Sequence, residues 1–139
     1  MIVRLATTAR NACVDAIAAL LDAGASGGTL KIYSGSMPAN PQTAPGGGNT
    51  LLGTLTFGDP ALDPAASGTA DFNAITDDAA ADADGTAAWA RLADSNGNAV
   101  MDVDVTDTGG GGVIELNTVD LVAGGPIVIT GGSLTMPAS

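Results

Sequence analysis

The pair Asn96-Gly97 lies between two stretches of alternating apolar and polar residues, and this arrangement constrains the fold more than any other feature of the chain. Asn-Gly with such flanks is the strongest short-range signal for a β-hairpin with a two-residue turn. In the resulting register one face of the hairpin is apolar and the other is polar. The facing pairs are Leu92 with Met101, Ala90 with Val103, Ala88 with Val105, Arg91 with Asp102, Trp89 with Asp104, and Ala93 with Val100.

A three-residue turn with a glycine bulge is the alternative for this hairpin. It would shift the register by one residue, setting Leu92 opposite Val100 and Ala90 opposite Asp102. A shift of one residue mixes the apolar and polar faces. The pattern therefore favours the two-residue turn.

The favoured register has a consequence for the only tryptophan of the chain. It places Trp89 on the polar face, beside Arg91 and Asp102. Either the helix or a loop covers part of this side chain, or Trp89 anchors a neighbouring chain, because tryptophan and arginine are enriched in interface hot spots. Tyr33, next to Lys31, raises the same question. The candidate interface residues are therefore Trp89, Arg91 and Tyr33.

Turn-forming residues divide most of the chain into short segments. With 20 glycines and seven prolines in 139 residues, the spacing is typical of an antiparallel β-sandwich or barrel. The Pro/Gly-rich stretch 36–49 is predicted to be a loop. About seven short strands are predicted, at 29–35, 50–59, 67–75, the two arms of the hairpin, 113–117 and 126–137.

The last of these strands crosses Gly131-Gly132 and changes parity there. Ile127 and Ile129 fall on one side of the alternation, whereas Leu134 and Met136 fall on the other. A β-bulge at the glycine pair would keep both pairs on the core side, because a bulge inserts one extra residue.

One amphipathic helix is predicted over about 7–23, packed on the sheet. Thr7 or Thr8 is expected to cap its start, and Gly24 follows its end. Together with a β-sandwich over about 29–137 it makes a single domain of residues 1–139. The residues of its apolar face are Ala9, Cys13, Ile17, Leu20 and Leu21, and the cysteine is predicted to be buried.

The charge balance excludes several partners. Fifteen acidic residues against four basic ones give a net charge of -11. Nucleic acid and anionic membranes attract basic clusters, so neither is an expected partner. An acidic chain can instead complement a basic protein surface. The apolar residues near the start are interrupted by Asp15 and Asp22, which predicts neither a signal peptide nor a membrane span.

The residues needed for catalysis are not recognisable. The chain has no histidine, so a serine or cysteine nucleophile lacks its usual base. Asp102 and Asp104 share a strand face, as in any Asp-x-Asp strand, and Arg91 opposite Asp102 explains them as surface charge. The glycine tracts 46–48 and 109–112 lack the lysine and helix of a phosphate-binding loop and are predicted to be flexible. We expect no enzyme activity and no cofactor.

Calcium is the remaining site chemistry. Asp94, Asn96 and Asn98 have the spacing with which a calcium loop begins, and they form a weak metal candidate. An EF-hand loop also needs glycine at its sixth position and glutamate at its twelfth, where this chain has alanine and valine. The acidic segment 77–84 is a second weak candidate.

Four segments of the chain resemble small structural proteins from the virions of tailed bacteriophages: "MIVRLATTARNACVDAIAALLDAG", "GTLKIYSGSMPA", "GTAAWARLADSNGNAVMDVDV" and "LVAGGPIVITGGSLTMP". The resemblance spans most of the chain, and its motifs are structural rather than catalytic. It implies a capsid decoration or cement protein, made in the host cytoplasm and located in the virion. A neck, tail or baseplate component is the nearest alternative.

The resemblance also implies partners. The major capsid protein or another virion protein would bind this chain, and a homo-oligomer is expected, since many small virion proteins associate symmetrically. A second alternative is a receptor- or carbohydrate-binding module, with Trp89, Tyr33 and the acidic loops in a sugar site.

Overall fold

The computed structural model describes residues 1–138, which form one α-helix and nine β-strands. Seven strands make a mixed sheet in the order β2-β1-β5-β6-β7-β9-β3, and β4 pairs with β8 in a separate two-stranded sheet. The predicted mainly-β class is confirmed, with 35% strand and 11% helix. The elements are α1 (Thr7–Leu21), β1 (Thr29–Tyr33), β2 (Leu51–Thr56), β3 (Thr69–Asp71), β4 (Gly85–Thr86), β5 (Trp89–Ala93), β6 (Ala99–Asp107), β7 (Ile114–Leu116), β8 (Asp120–Leu121) and β9 (Ile129–Thr135).

The prediction of a purely antiparallel sandwich or barrel is wrong. Strands β6 and β7 run parallel, and the sheet is not a closed barrel. An irregular segment, 76–82, instead covers the outer edge of β2, where the Asp82 N–H donates to Leu52 O (2.7 Å). The same segment pairs with the chain leading into β9 through Asp78 and Ile127. Covering an edge in this way satisfies backbone groups that would otherwise invite pairing with another chain.

The parallel pair β6–β7 is joined by only six residues, 108–113. Parallel strands normally need a crossover of a dozen or more residues. Here Gly109 and Gly111 adopt φ values of +84° and +82°, which side chains disfavour. A Cβ at Gly110 would lie 2.7 Å from the Thr106 Cβ, and one at Gly112 would lie 2.9 Å from the Thr106 Cγ2. The tract predicted to be flexible is therefore a defined turn.

Glu115 holds this turn from β7. Its Oε2 accepts a hydrogen bond from Gly109 N–H and its Oε1 accepts one from Gly111 N–H, both at 3.1 Å. Converging backbone N–H groups of this kind form an anion-binding concavity, and the anion here is the protein's own carboxylate.

Replacing Glu115 with glutamine is expected to lower the free energy of unfolding by about 1–3 kcal/mol, the range for hydrogen bonds to a charged group. The amide offers one acceptor oxygen where the carboxylate offers two. Urea unfolding measures the difference, and Asp63→Asn, at an exposed position outside this turn, serves as the control, with an expected change below about 0.5 kcal/mol. Equal urea midpoints for Glu115→Gln and the wild type would contradict this role.

The β5–β6 hairpin combines both turn alternatives. Along the strands the pairs are those of the two-residue register, from Trp89 opposite Asp104 to Leu92 opposite Met101. At the turn, however, Gly97 N–H donates to Asp94 O (3.1 Å) and Gly97 has φ +86°. These features define a three-residue turn with a glycine bulge, so the predicted two-residue turn is wrong.

A second bulge reconciles the turn with the strands. The register shifts between Leu92 and Ala93, so that Ala93 lies opposite Ala99 rather than the predicted Val100. Turn chemistry fixes the loop, and the burial of one face fixes the strand register. The extra residue absorbs the difference between the two.

The bulge predicted for the last strand is present, slightly before the expected position. Leu116 pairs with Ile129 and Glu115 pairs with Gly131, which leaves Thr130 as the extra residue. Ile127 and Leu134 are consequently both buried.

Helix α1 ends two residues earlier than predicted and lacks the expected cap. Ala6 is the N-cap residue and no side chain caps the helix, so the prediction of Thr7 or Thr8 in this role is wrong. The buried helical residues are Val14 and Leu21, whereas Cys13 is half-buried and Leu20 is exposed. The buried face is thus rotated by about one residue position, or roughly 100°, from the predicted one.

Polar side chains account for the rotation, because they dock the helix on the backbone of neighbouring loops. Three of them accept N–H groups of the segment 61–68, and one donates to the chain after β9. The bonds are Ala61 N–H to Asp22 Oδ1 (2.8 Å), Ala65 N–H to Asp15 Oδ1 (2.9 Å), Gly68 N–H to Asn11 Oδ1 (2.7 Å) and Arg10 Nε–H to Met136 O (2.7 Å).

Candidate interaction surface

The three candidate interface residues lie together on the outer face of the sheet. Tyr33 on β1 is directly opposite Trp89 on β5, and Arg91 on β5 is opposite Asp102 on β6. Successive side chains of a strand point to opposite faces of the sheet. Leu92 and the residue opposite it on β1, Leu30, therefore face the core, and the cluster lies on the other face. The hairpin register therefore predicted the face of Trp89 and Arg91 correctly, whereas the position of Tyr33 beside Trp89 depends on the pairing of β1 with β5, which was not predicted.

The cluster is tightly connected. The Tyr33 and Trp89 rings stack with centroids 4.5 Å apart, at an interplanar angle of 13°. The Arg91 guanidinium lies 5.5 Å from the centroid of the Trp89 ring and forms a two-bond ion pair with Asp102, at 2.8 Å for each bond. The hydrogen bonds with Asp102 raise the pKa of Arg91, and burial raises that of Tyr33 above its ordinary value of 10.0.

A loop covers Trp89. Its side chain is 1% exposed, and its Nε1–H donates to Asn49 Oδ1 at 3.0 Å. Of the two interpretations of Trp89, cover by a loop is the one that this structure shows. An indole buried in this way presents no surface to a neighbouring chain or to a sugar.

The loop that Asn49 belongs to carries no charged residue, and we call it the neutral loop (residues 34–50). Its two ends meet, because Ser34 N–H donates to Thr50 O (3.0 Å). Asn40 Oδ1 accepts two backbone N–H groups and fixes a turn near its middle. The whole stretch 32–58 carries no charged residue in a chain with a net charge of -11.

The exposed part of the neutral loop includes Met37 and all four of its glycines. Compact loops with closed ends are often functional. The cluster of Tyr33, Trp89 and Arg91 thus holds the neutral loop through Asn49, and the exposed surface belongs to the loop. No pattern in the sequence links Asn49 to Trp89, since the two are 40 residues apart and the loop has no periodicity.

The weak metal candidate is a self-contained turn. Asp94 is buried, and its Oδ1 accepts hydrogen bonds from the N–H groups of Asn96 and Asn98, each at 2.9 Å. Its Oδ2 accepts one from Asn98 Nδ2 (3.0 Å). The structure therefore brings the three residues together, but Asn98 faces Asp94 as a donor and not as a metal ligand. Across residues 1–138, no group of three or more cysteine, aspartate or glutamate side chains is placed to hold a metal ion.

This turn gives a pH-dependent contribution to stability. The side-chain hydrogen bond from Asn98, supported by the backbone N–H groups, holds the pKa of Asp94 below its ordinary value of 3.8. A carboxyl whose pKa is lower in the folded protein stabilises the fold above its unfolded-state pKa. This stability is lost as the pH falls through the folded-state pKa.

Asp94→Asn is therefore expected to lower the melting temperature at neutral pH, and its deficit relative to the wild type should shrink below pH 3.8. Thermal unfolding across the acidic range measures the deficit. Asp82→Asn, which removes the same charge from an exposed position, is the control and should show a smaller deficit. A deficit for Asp94→Asn that stays constant through the acidic range would contradict the assignment.

Acidic side chains hold many other loops in the same way. In the segment 77–84, Asp77 accepts Ile129 N–H and Asp84 accepts Ala123 N–H, so this candidate calcium loop also uses its carboxylates internally. Within the described residues nine acidic side chains accept a backbone N–H: Asp15, Asp22, Asp77, Asp78, Asp84, Asp94, Asp104, Asp107 and Glu115.

Asp102 and Asp104 have separate structural partners. Asp102 pairs with Arg91, and its side chain is only 4% exposed. The prediction that Asp102 is a surface charge is therefore wrong. Asp104 accepts the N–H of Val113 in the β6–β7 connection (2.9 Å). Each of the two aspartates therefore stabilises a different part of the sheet.

No protein-family model, no curated protein and no solved structure matches the chain. No helix within residues 1–138 has the length and apolar character needed to span a membrane.

Proposed function

We propose that the protein is a non-enzymatic structural component of a tailed bacteriophage virion that binds the major capsid lattice through its neutral loop. The observation that carries the proposal is the hydrogen bond from Trp89 to Asn49, which fixes the neutral loop against the sheet. A surface loop held in place before binding loses less conformational entropy on docking than a flexible one. The resemblance of the sequence to small virion proteins supplies the partner.

The distribution of charge supports this orientation. Residues 32–58 are uncharged, so the neutral loop can approach another protein without desolvating unpaired charges. The acidic remainder of the surface would face outward, where its repulsion keeps particles from associating. A decoration protein needs both properties, because it must bind one surface firmly and avoid others.

The test is binding to purified heads that lack this protein. Wild-type protein should sediment with the heads, and Met37→Asp should weaken binding about tenfold or more, because a charge would be placed in the contact. Val122→Asp is the matched control, since Val122 is an exposed apolar residue outside the neutral loop. It should bind as the wild type does.

Two results would overturn the proposal. One is sedimentation of the protein with tails or baseplates and not with heads, which would favour the tail alternative. The other is equal binding of Met37→Asp and Val122→Asp, which would remove the neutral loop from the contact.

A further inference from the structure

Residues 1–4 form an exposed apolar arm. Met1, Ile2 and Val3 are 115%, 81% and 52% exposed, and Arg4 beside them is also exposed. The first backbone hydrogen bond along the chain is made at Leu5, whose N–H donates to Ala138 O in the segment after β9 (2.9 Å). Single exposed apolar residues are common, but a contiguous run of them marks an interaction site.

A groove on the same molecule has the complementary character. Gly131 leaves the outer side of β9 without a side chain, whereas a Cβ at Gly132 would point toward Phe72 and the buried Ile114. Two adjoining cavities of about 290 and 400 Å³ lie against this glycine pair. Phe72 lines both cavities, and Ile75 and Ile129 line the first. All three of these side chains are half-buried, so they leave apolar surface open to solvent. We call this the glycine groove.

The rim of the glycine groove is acidic. Asp77 lines the first cavity, and Asp71 and Glu115 line the second. Asp77 and Glu115 already accept backbone N–H groups. Asp71 is exposed, and among the described residues no side-chain hydrogen bond engages it. It is therefore the rim carboxylate best placed to pair with an incoming cation.

We propose that the apolar arm of one copy binds in the glycine groove of a second copy, with its apolar side chains on Phe72 and Arg4 against Asp71. An extended arm of four residues, about 13 Å long, covers most of the five-residue stretch of β9 from Ile129 to Ser133. Two chains of charge -11 repel each other over most of their surface. The contact between Arg4 of the arm and the acidic rim of the groove is attractive instead, so it permits the two chains to associate.

Each copy carries both the arm and the groove. The contact is therefore reciprocal in a two-fold dimer, or head-to-tail in a closed ring. This inference does not depend on the neutral loop, which lies in a different part of the chain.

Sedimentation equilibrium of the full chain tests the proposal. The wild type should be oligomeric, and Ile2→Asp should raise its dissociation constant about thirtyfold or more, the equivalent of losing one buried apolar side chain. Val122→Asp adds the same charge at another exposed apolar position and should leave the dissociation constant unchanged.

The groove is tested by filling it. A Cβ at Gly131 would meet only Glu115, at 3.6 Å or more, so Gly131→Leu should fold normally and dissociate the oligomer. Gly47→Leu is the control, because no atom lies within 4 Å of a Cβ placed there. Circular dichroism and the melting temperature establish that each variant is folded.

A charge reversal tests the pairing itself. Arg4→Glu should weaken association about tenfold, and adding Asp71→Arg should restore it. A wild type that is monomeric at every concentration would overturn the proposal, as would an oligomer that Ile2→Asp and Gly131→Leu leave intact. If monomeric wild type binds heads and Ile2→Asp does not, the arm instead contacts another virion protein, and the proposed function stands without this pairing.

Discussion

Replacing Trp89 with alanine is expected to lower the free energy of unfolding by about 3–5 kcal/mol, the usual cost of removing a large buried aromatic side chain. The indole is 1% exposed, stacks on Tyr33 and donates to Asn49. Its loss leaves a cavity beneath the neutral loop and removes the hydrogen bond that fixes the loop. Urea unfolding followed by far-UV circular dichroism measures the change.

Trp89→Phe separates the two contributions. Phenylalanine keeps most of the ring stack on Tyr33 but has no N–H for Asn49, so it should cost less than alanine. Asn49→Ala removes the same bond from the other side, and the two substitutions should be non-additive when combined. A loss below about 1 kcal/mol for Trp89→Ala would be typical of a surface site and would contradict the burial of the indole.

The second large effect concerns Arg91. Replacing it with methionine is expected to destabilise the protein by about 3–5 kcal/mol, because removal of one partner leaves a buried charge uncompensated. The side chains of Arg91 and Asp102 are only 12% and 4% exposed. Urea unfolding at neutral pH measures the loss.

Two controls identify the cause. The double replacement Arg91→Met with Asp102→Leu should recover much of the stability, because an apolar pair of similar size often substitutes for a buried ion pair. Lys31→Met, which removes an exposed cation directly opposite Arg91, should change stability by less than about 0.5 kcal/mol. If the double variant is no more stable than Arg91→Met, packing of the arginine rather than its charge is responsible.

The hairpin shows how far sequence patterns carry a structural prediction. Alternation fixed the strand pairs from Trp89 to Leu92 correctly, because burial of one face specifies register strongly. The turn itself was predicted wrongly, because several turn types accept Asn-Gly and the choice depends on Asp94, whose carboxylate caps the loop from within. A bulge between Leu92 and Ala93 then allowed both requirements to be met.

The buried face of helix α1 was predicted wrongly for a related reason. Apolar periodicity placed Cys13 and Leu20 inward, but Asn11, Asp15 and Asp22 dock the helix through hydrogen bonds to loop backbone. A pattern that counts apolar residues alone assigns such polar groups to solvent. The orientation of a helix held partly by polar contacts is therefore not readable from its apolar stripe.

The candidate site was half predictable. The face occupied by Trp89 and Arg91 followed from the hairpin register, whereas the β1–β5 pairing that brings Tyr33 beside them and the loop that covers Trp89 did not. Contacts between an irregular segment and a strand leave no periodic signal in the sequence. The parallel pairing of β6 with β7 was missed as well, because a six-residue connection between parallel strands lies outside the usual range.

That short connection has a consequence for how the chain tolerates changes in length. One residue added to the segment 108–113 would move Ile114 out of line with Val105, and alternation would turn the side chains of β7 to the opposite face. Leu116 would then face solvent and Glu115 the core. Loops elsewhere can be lengthened at little entropic cost, but the length of this one determines which face of the sheet each side chain of β7 occupies. Insertions and deletions are therefore expected to be excluded here even where substitutions are accepted.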